Sequence, residues 1–321
     1  MAGNSTKEIK RRQRSIGNTQ KVTRAMEMVS AAKMRKSQLR ALAARPYAQH
    51  VVKILERLAN VREDEKEAVK EAIRMNQFFA EQEGTTTLFV LIASDKGLIG
   101  GLNASLIAHA KREIGEEREA GQEVEAIAIG TKSAAALRKL DIPVVAEFSG
   151  VGDYVEYEEI AHITQAIIER YKADHVTRVI ALYAEFLSTL KQQPASRQIL
   201  PASATQLEAI IEEAVPDRGR WSNGHNDEEL NGNGVSYIFE PDPSQLLDAL
   251  VPYLISITSY HIILEANASE HSARMIAMRN ASTNAERLLE ELTLSYNKAR
   301  QAAITREISE VSSGAEALQK D

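Results

Sequence analysis

The chain has 321 residues, 44% hydrophobic and 26% charged, which supports a packed core and excludes a disordered chain. Aromatic residues are scarce at 5%, with one tryptophan, Trp221, and the abundance of Ala, Glu, Leu, Lys and Arg favours long helices. Cysteine is absent, which excludes disulfides, thiol nucleophiles, thiolate metal sites and thiol switches.

The net charge of -6 is unevenly spread. Residues 1–45 carry 12 Lys/Arg against Glu8 and Glu27, so this arm is net +10 and the remainder net -16. A basic arm on an acidic body points to an anionic partner for the arm: nucleic acid, a membrane surface or an acidic protein surface. The polar, basic start lacks the apolar stretch of a secretory signal. No run of about 18 apolar residues is visible, so no transmembrane segment is expected and the default is a soluble cytoplasmic protein.

Residues 4 to about 60 read as one long helix, with Ser5 and Glu8 at capping-box spacing. Val22, Met26 and Val29 step by four and three, and Ile9 and Ile16 lie a heptad apart, so a thin apolar stripe is expected there. Gly17 is the run's single glycine, and Pro46 predicts a kink. Such a helix needs one partner helix and leaves its other sides free. Residues 62–84 are charged and mixed, and read as a solvated helix and connector.

Strand and helix then alternate. Residues 85–94 are almost continuously apolar after Leu88, as a strand buried on both faces should be. A helix is expected over 104–119, a strand over 123–129, and a short helix to Leu140 capped by Thr131. A strand over 143–148, a helix over 157–172 and a strand over 176–186 follow, with 197–200 returning beside the last. This alternation predicts a parallel sheet with right-handed crossovers. Residues 216–234 are rich in Gly, Asn and Asp and read as a loop around Trp221.

A final helix is expected from Pro243, capped by Asp242, to about Leu318, with Pro252 bending it or offsetting its start. Its apolar and small residues step by three and four without a break. They run from Leu254, Ile257, His261 and Leu264 through Met275, Met278, Ser282 and Ala285 to Leu292, Tyr296, Ala299 and Ala303. Two long helices at opposite ends of one chain, separated by a compact domain, can pair antiparallel. If their lower ends meet near residues 60 and 250, paired positions add to about 310 and Met26 lies opposite residue 284, give or take a turn. The fold class is therefore α/β, with a long antiparallel two-helix coiled coil from the terminal segments and a central α/β domain. The segments are 1–62 for the first long helix, 63–215 for the connector and α/β domain, 216–240 for the loop insertion, and 241–321 for the last helix.

No motif argues for catalysis. The turn after the first strand, SDKGLIGGLN, sits where a phosphate loop would, but Gly97, Gly100 and Gly101 fit neither the dinucleotide nor the P-loop spacing. A tight strand-to-helix turn explains the glycines, and Asp95 and Lys96 read as a solvated turn. His261 and His271 are ten residues apart, off any single metal-binding face, and fall on the seam. No catalytic, cofactor or metal residue is expected. The basic helix leaves open a coiled-coil nucleic-acid-binding protein, although aromatic stacking residues are lacking nearby.

Residues 9–38, IKRRQRSIGNTQKVTRAMEMVSAAKMRKSQ, resemble the opening helix of the gamma subunit family of F-type ATP synthases. SDKGLIGGLN is similar to that family's motif after the first central strand. Residues 270–318, with RMIAMRNAST and LSYNKARQAAITREISEVSSGAEAL, resemble its C-terminal helix. The resemblance implies a non-catalytic central rotor stalk without cofactors, coupling proton flow to ATP synthesis or hydrolysis. It implies a coiled coil inside a ring of alpha and beta subunits, and a Rossmann-like α/β domain, free of nucleotide, against the epsilon subunit and the membrane c-ring. It implies a peripheral position on the cytoplasmic face of a bacterial cell membrane. By motif match, Met26 contacts the beta subunits, Arg300, Gln301 and Thr305 contact the catch loop, and the basic arm faces acidic loops of beta. Chloroplast relatives carry a cysteine pair near 216–234; this chain has none, so thiol regulation is excluded.

Overall fold

In a computed structural model, the structure describes residues 6–59, 71, 76, 78–79, 82, 84–151, 157–173, 175–202 and 243–318. Ser5, Asp242, the 216–234 loop with Trp221 and most of the 62–84 connector lie outside the described residues. The elements in chain order are α1 (Thr6–Ala59), β1 (Thr86–Ile92), α2 (Leu102–Glu119), β2 (Glu123–Ile129), α3 (Thr131–Lys139), β3 (Val144–Phe148), α4 (Tyr157–Tyr171), β4 (Val176–Phe186), β5 (Gln192–Leu200) and α5 (Pro243–Leu318). The chain divides into two units, residues 1–31 with 274–321, and residues 32–273.

The larger unit is built on a five-stranded sheet of order β3-β2-β1-β4-β5. β1 pairs parallel with β2 and β4, and β2 pairs parallel with β3. β1 is buried at all seven positions, as its unbroken apolar run requires. Its side chains alternate between two cores. Leu88, Val90 and Ile92 join Ile160, Ile163 and Ile167 of α4 and Ile255, Ile262 and Ile263 of α5. Phe89 and Leu91 face the other way, onto Leu106, Ala110 and Ile114 of α2 and Leu137 of α3. The result is three layers with helices on both faces.

Two expectations change. The four alternating strands pair parallel as expected, and the returning strand, β5, lies antiparallel beside β4 from Phe186↔Gln192 to Val179↔Leu200. It begins at Gln192, five residues before the expected 197; QQPAS is polar because this edge strand is half-exposed, and Pro194 is tolerated there. Thr131 does not cap α3: the N-cap is Gly130, without a side-chain cap bond. Both prolines are carried inside continuous helices, Pro46 in α1 and Pro252 in α5, which starts at Pro243 as expected. By composition alone α5 also contains an 18-residue window apolar enough to cross a membrane, with a mean hydropathy of 1.3. More than half of that window, 56%, is buried in the protein, the signature of a core helix.

Candidate functional site

Two places in the fold are candidates for function. The first is the crevice at the carboxyl ends of β1, β2 and β3, where open α/β sheets seat ligands. Here it is closed from within by Asp95. Asp95 Oδ1 accepts the Thr131 backbone N–H at 2.9 Å and Oδ2 accepts the Gly150 N–H at 2.9 Å. The Thr131 hydroxyl donates to the Asp95 carbonyl at 2.7 Å, and the Lys132 N–H donates to the Ser94 carbonyl at 3.1 Å. The N-terminus of α3, the natural anion seat, thus already holds a carboxylate and a carbonyl. Gly130 makes this approach possible. Its φ is +93°, and a Cβ there would meet the Ala93 carbonyl oxygen at 1.9 Å.

The glycine-rich turn is likewise satisfied internally. Asn103 Nδ2 donates to Ser94 Oγ at 2.7 Å, and Ser94 Oγ donates to the Lys96 carbonyl at 2.7 Å. Beside it a cavity of about 20 Å³, lined by Ser94, Asn103, Asn267 and Glu270 among others, has room for a single water. Lys96 is exposed, as a solvated turn requires, but Asp95 is half-buried and ties three loops together. No element of the sequence near Asp95 announces this, because its partners lie 36 and 55 positions away.

The second place is the paired-helix unit. Gln13 Nε2 donates to Thr293 Oγ1 at 3.0 Å and Arg279 Nε donates to Glu27 Oε1 at 2.9 Å. Both bonds join positions whose numbers add to 306, so α1 and α5 pair antiparallel and Met26 faces residue 280 rather than 284. The shift of four residues is about one helical turn.

On α5 the expected seam holds: Met275, Met278, Ser282 and Ala285 are buried and Leu289, Leu292, Tyr296, Ala299 and Ala303 are half-buried. On α1 it does not. Val22 and Val29 are 57% and 53% exposed, and the side chains turned inward in this unit are Ile9, Gln13, Ile16, Gln20, Thr23, Glu27 and Ser30. That row repeats every seven residues at Ile9, Ile16, Thr23 and Ser30, a heptad legible in the sequence once polarity is ignored. The seam is asymmetric: its α1 side is largely polar and its α5 side apolar or small, while Val22, Met28, Val29, Leu288, Leu294, Ile304, Ile308 and Val311 are exposed.

The expected contact residues fall in this unit. Met26 is half-buried, and Arg300, Gln301 and Thr305 are exposed. Gln301 and Thr305 share a helix face, and the Thr305 hydroxyl donates to the Gln301 carbonyl at 3.0 Å. From Ile304 to Ser313 every side chain is exposed, as expected of a stretch that has outrun its α1 partner. His261 and His271 lie on the seam of the larger unit, half-buried and buried respectively.

Comparison with known proteins agrees with this architecture. A family model described as ATP synthase matches residues 5–318. The ATP synthase gamma chain of Nitrosomonas eutropha is 37% identical over 315 residues, covering 98% of this chain and 99% of that protein. The ATP synthase gamma chain of Chloroflexus aurantiacus is 36% identical over 315 residues, with 98% and 99% covered. Among solved structures, a chain of the Euglena gracilis mitochondrial ATP synthase aligns with a TM-score of 0.62 at 17% identity, covering 98% of this chain and 94% of that one. A chain from the central stalk/c-ring structure of the Tetrahymena thermophila enzyme aligns at 0.51 and 21% identity, covering 81% and 99%. These two likenesses speak for the fold. The identities over full length, the family match and the antiparallel helix pair from the chain's two ends lead to one assignment: this chain belongs to the ATP synthase gamma chain family.

Proposed function

We propose that the chain is the central rotor stalk of a proton-translocating F-type ATP synthase, transmitting torque between a membrane c-ring and a catalytic ring of alpha and beta subunits. It is a non-catalytic subunit. The observation that carries the reading is the antiparallel helix pair that keeps large apolar side chains on its outside. A pair that presents Val22, Met28, Val29, Leu294, Ile304, Ile308 and Val311 outward is built to be enclosed by other proteins. A sleeve of alternating subunits supplies that enclosure.

The finer reading follows. Met26, Arg300, Gln301 and Thr305 are the contacts with the beta subunits, and the basic residues of α1 face acidic beta loops. The epsilon subunit and the c-ring meet the α/β body, and the chain works peripherally at the cytoplasmic face of a bacterial cell membrane. Ring subunits change nucleotide affinity as the stalk turns because each orientation favours a different ring conformation. The nucleic-acid alternative is not retained, since the full-length relatives are ATP synthase gamma chains. The test is co-expression with alpha and beta subunits. The chain should purify in a complex with three copies of each, and Arg300→Ala with Gln301→Ala should lower ATP turnover without lowering assembly. A chain that purifies alone under these conditions refutes the reading.

A further inference from the structure

The body must drive α5 without letting it slip. Beneath α5 the packing is Val90, Ile92, Ile129, Ile163, Ile167 and Ile199 against Ile262 and Ile263. Apolar packing of this kind is non-directional, so by itself it resists rotation of a helix about its own axis weakly. Hydrogen bonds depend steeply on angle and distance. Two side chains of α5 within the body, Glu265 and Ser272, make such bonds to the end of β4 and to the turn between β4 and β5.

That turn, residues 187–191, is rigidified by its own bonds. The Leu187 and Ser188 N–H groups donate to the Lys191 carbonyl at 3.2 and 3.0 Å, and the Lys191 N–H donates to the Ser188 carbonyl and to Ser188 Oγ at 3.2 and 3.1 Å. Gln192 Nε2 donates back to the Ser188 and Thr189 carbonyls at 2.9 and 3.1 Å. This preformed loop holds one hydroxyl of α5. Ser272 Oγ donates to the Thr189 carbonyl at 2.6 Å and accepts from Gln192 Nε2 at 3.4 Å. Two turns earlier on α5, Glu265 Oε1 accepts the Phe186 N–H at 3.4 Å. Glu265 and Ser272 are seven residues apart, hence on one side of the helix and roughly 10 Å apart along it. Ser272 is fully buried and stands just before the body ends at Ala273.

We infer that the β4–β5 turn is the torsional clamp of the stalk, with Ser272 as the positioning residue that, together with Gln192 and Glu265, fixes the rotational phase of α5 on the α/β body. The clamp deepens the rotor reading and rests on it. Ser269 provides an internal control. It is as deeply buried on the same helix, but its hydroxyl has no hydrogen-bond partner among the described residues.

The test uses the full chain assembled with its alpha and beta subunits, carrying Glu119→Cys on the exposed end of α2 for attachment of a bead. Angular fluctuations of the bead between steps, and amide exchange of residues 186–192, are compared for Ser272→Ala and Ser269→Ala. Ser272→Ala should speed exchange in the turn about fivefold, the consequence of one lost hydrogen bond. It should widen the angular variance roughly twofold, as when one of two directional attachments is lost. Ser269→Ala should change neither. If Ser272→Ala prevents assembly, Gln192→Ala removes the 3.4 Å bond to Ser272 and the two bonds that hold the Ser188 and Thr189 carbonyls in place, and leaves α5 unaltered. Unchanged variance in the variant that assembles, or equal effects of Ser269→Ala and Ser272→Ala, overturns the clamp. A complex that hydrolyses ATP while the wild-type bead never rotates overturns the rotor reading instead.

Discussion

Asp95→Ala isolates the device that closes the crevice of the sheet. The substitution removes two acceptor contacts, to the Thr131 and Gly150 N–H groups at 2.9 Å each, and leaves the main-chain bond from the Thr131 hydroxyl in place. A hydrogen bond to a charged acceptor contributes about 1.5–3 kcal/mol. Solvent reaches this half-buried carboxylate and the opened N–H groups, so the net cost of losing both is placed at ~2 kcal/mol, felt locally. Opening of the 130–132 and 149–150 loops should then become about 30-fold more frequent. Amide exchange at Thr131 and Gly150 of the full chain measures it directly. Inorganic phosphate at millimolar concentration should slow exchange again in Asp95→Ala alone, because the vacated end of α3 is an anion seat. Unchanged exchange at both amides would falsify the idea that the carboxylate, rather than sheet packing, holds the loops.

Three further outcomes are expected. Tyr171 is stacked on Phe78 with ring centroids 6.2 Å apart, its hydroxyl has no partner among the described residues, and burial pushes its pKa up to about 12. The unfolded tyrosine ionises near 10, so this group's contribution is complete below that pH and is lost as pH rises toward 12. Tyr171→Phe should flatten the alkaline limb of a stability-versus-pH curve and cost nothing at neutral pH, because an unpaired buried hydroxyl is removed. Gly130→Ala should destabilise the body by ~3 kcal/mol or more in denaturant unfolding, through positive φ and the 1.9 Å clash with Ala93. Cysteines at Thr23 and Ser282, both buried on the seam, should crosslink on oxidation, whereas a pair at Met26 and Asn284 should not; the opposite result would restore the register adding to 310.

Much of the fold was legible because its elements obey ordinary patterning. β1 reads as a doubly buried strand from TTLFVLI, and α5 shows its seam because large and small residues recur at three and four. The failures share a cause. On α1, Val22 and Val29 look like core, yet Thr23 and Ser30, one position on, are the buried residues. Hydrophobicity marks the inside only when the outside is water. The first half of β5 is not legible because an edge strand needs few apolar residues, and the role of Asp95 is not, because it depends on two distant backbone N–H groups.

The asymmetric seam of the helix pair also constrains how stiffness arises. Its large apolar side chains that are fully buried are few, Ile9, Met275 and Met278, so area burial at ~25 cal/mol per Å² supplies little adhesion between the two helices. Register therefore falls to directional contacts such as Gln13 with Thr293 and Glu27 with Arg279. Both of these bonds are exposed and each contributes modestly, so the seam resists sliding weakly while each helix, through its own backbone ladder, resists bending strongly. Torque carried along such a pair must enter through a single helix held firmly elsewhere. In the body α5 is held by an apolar core and gripped by the β4–β5 turn at Glu265 and Ser272, which is the firm hold the loosely joined pair lacks.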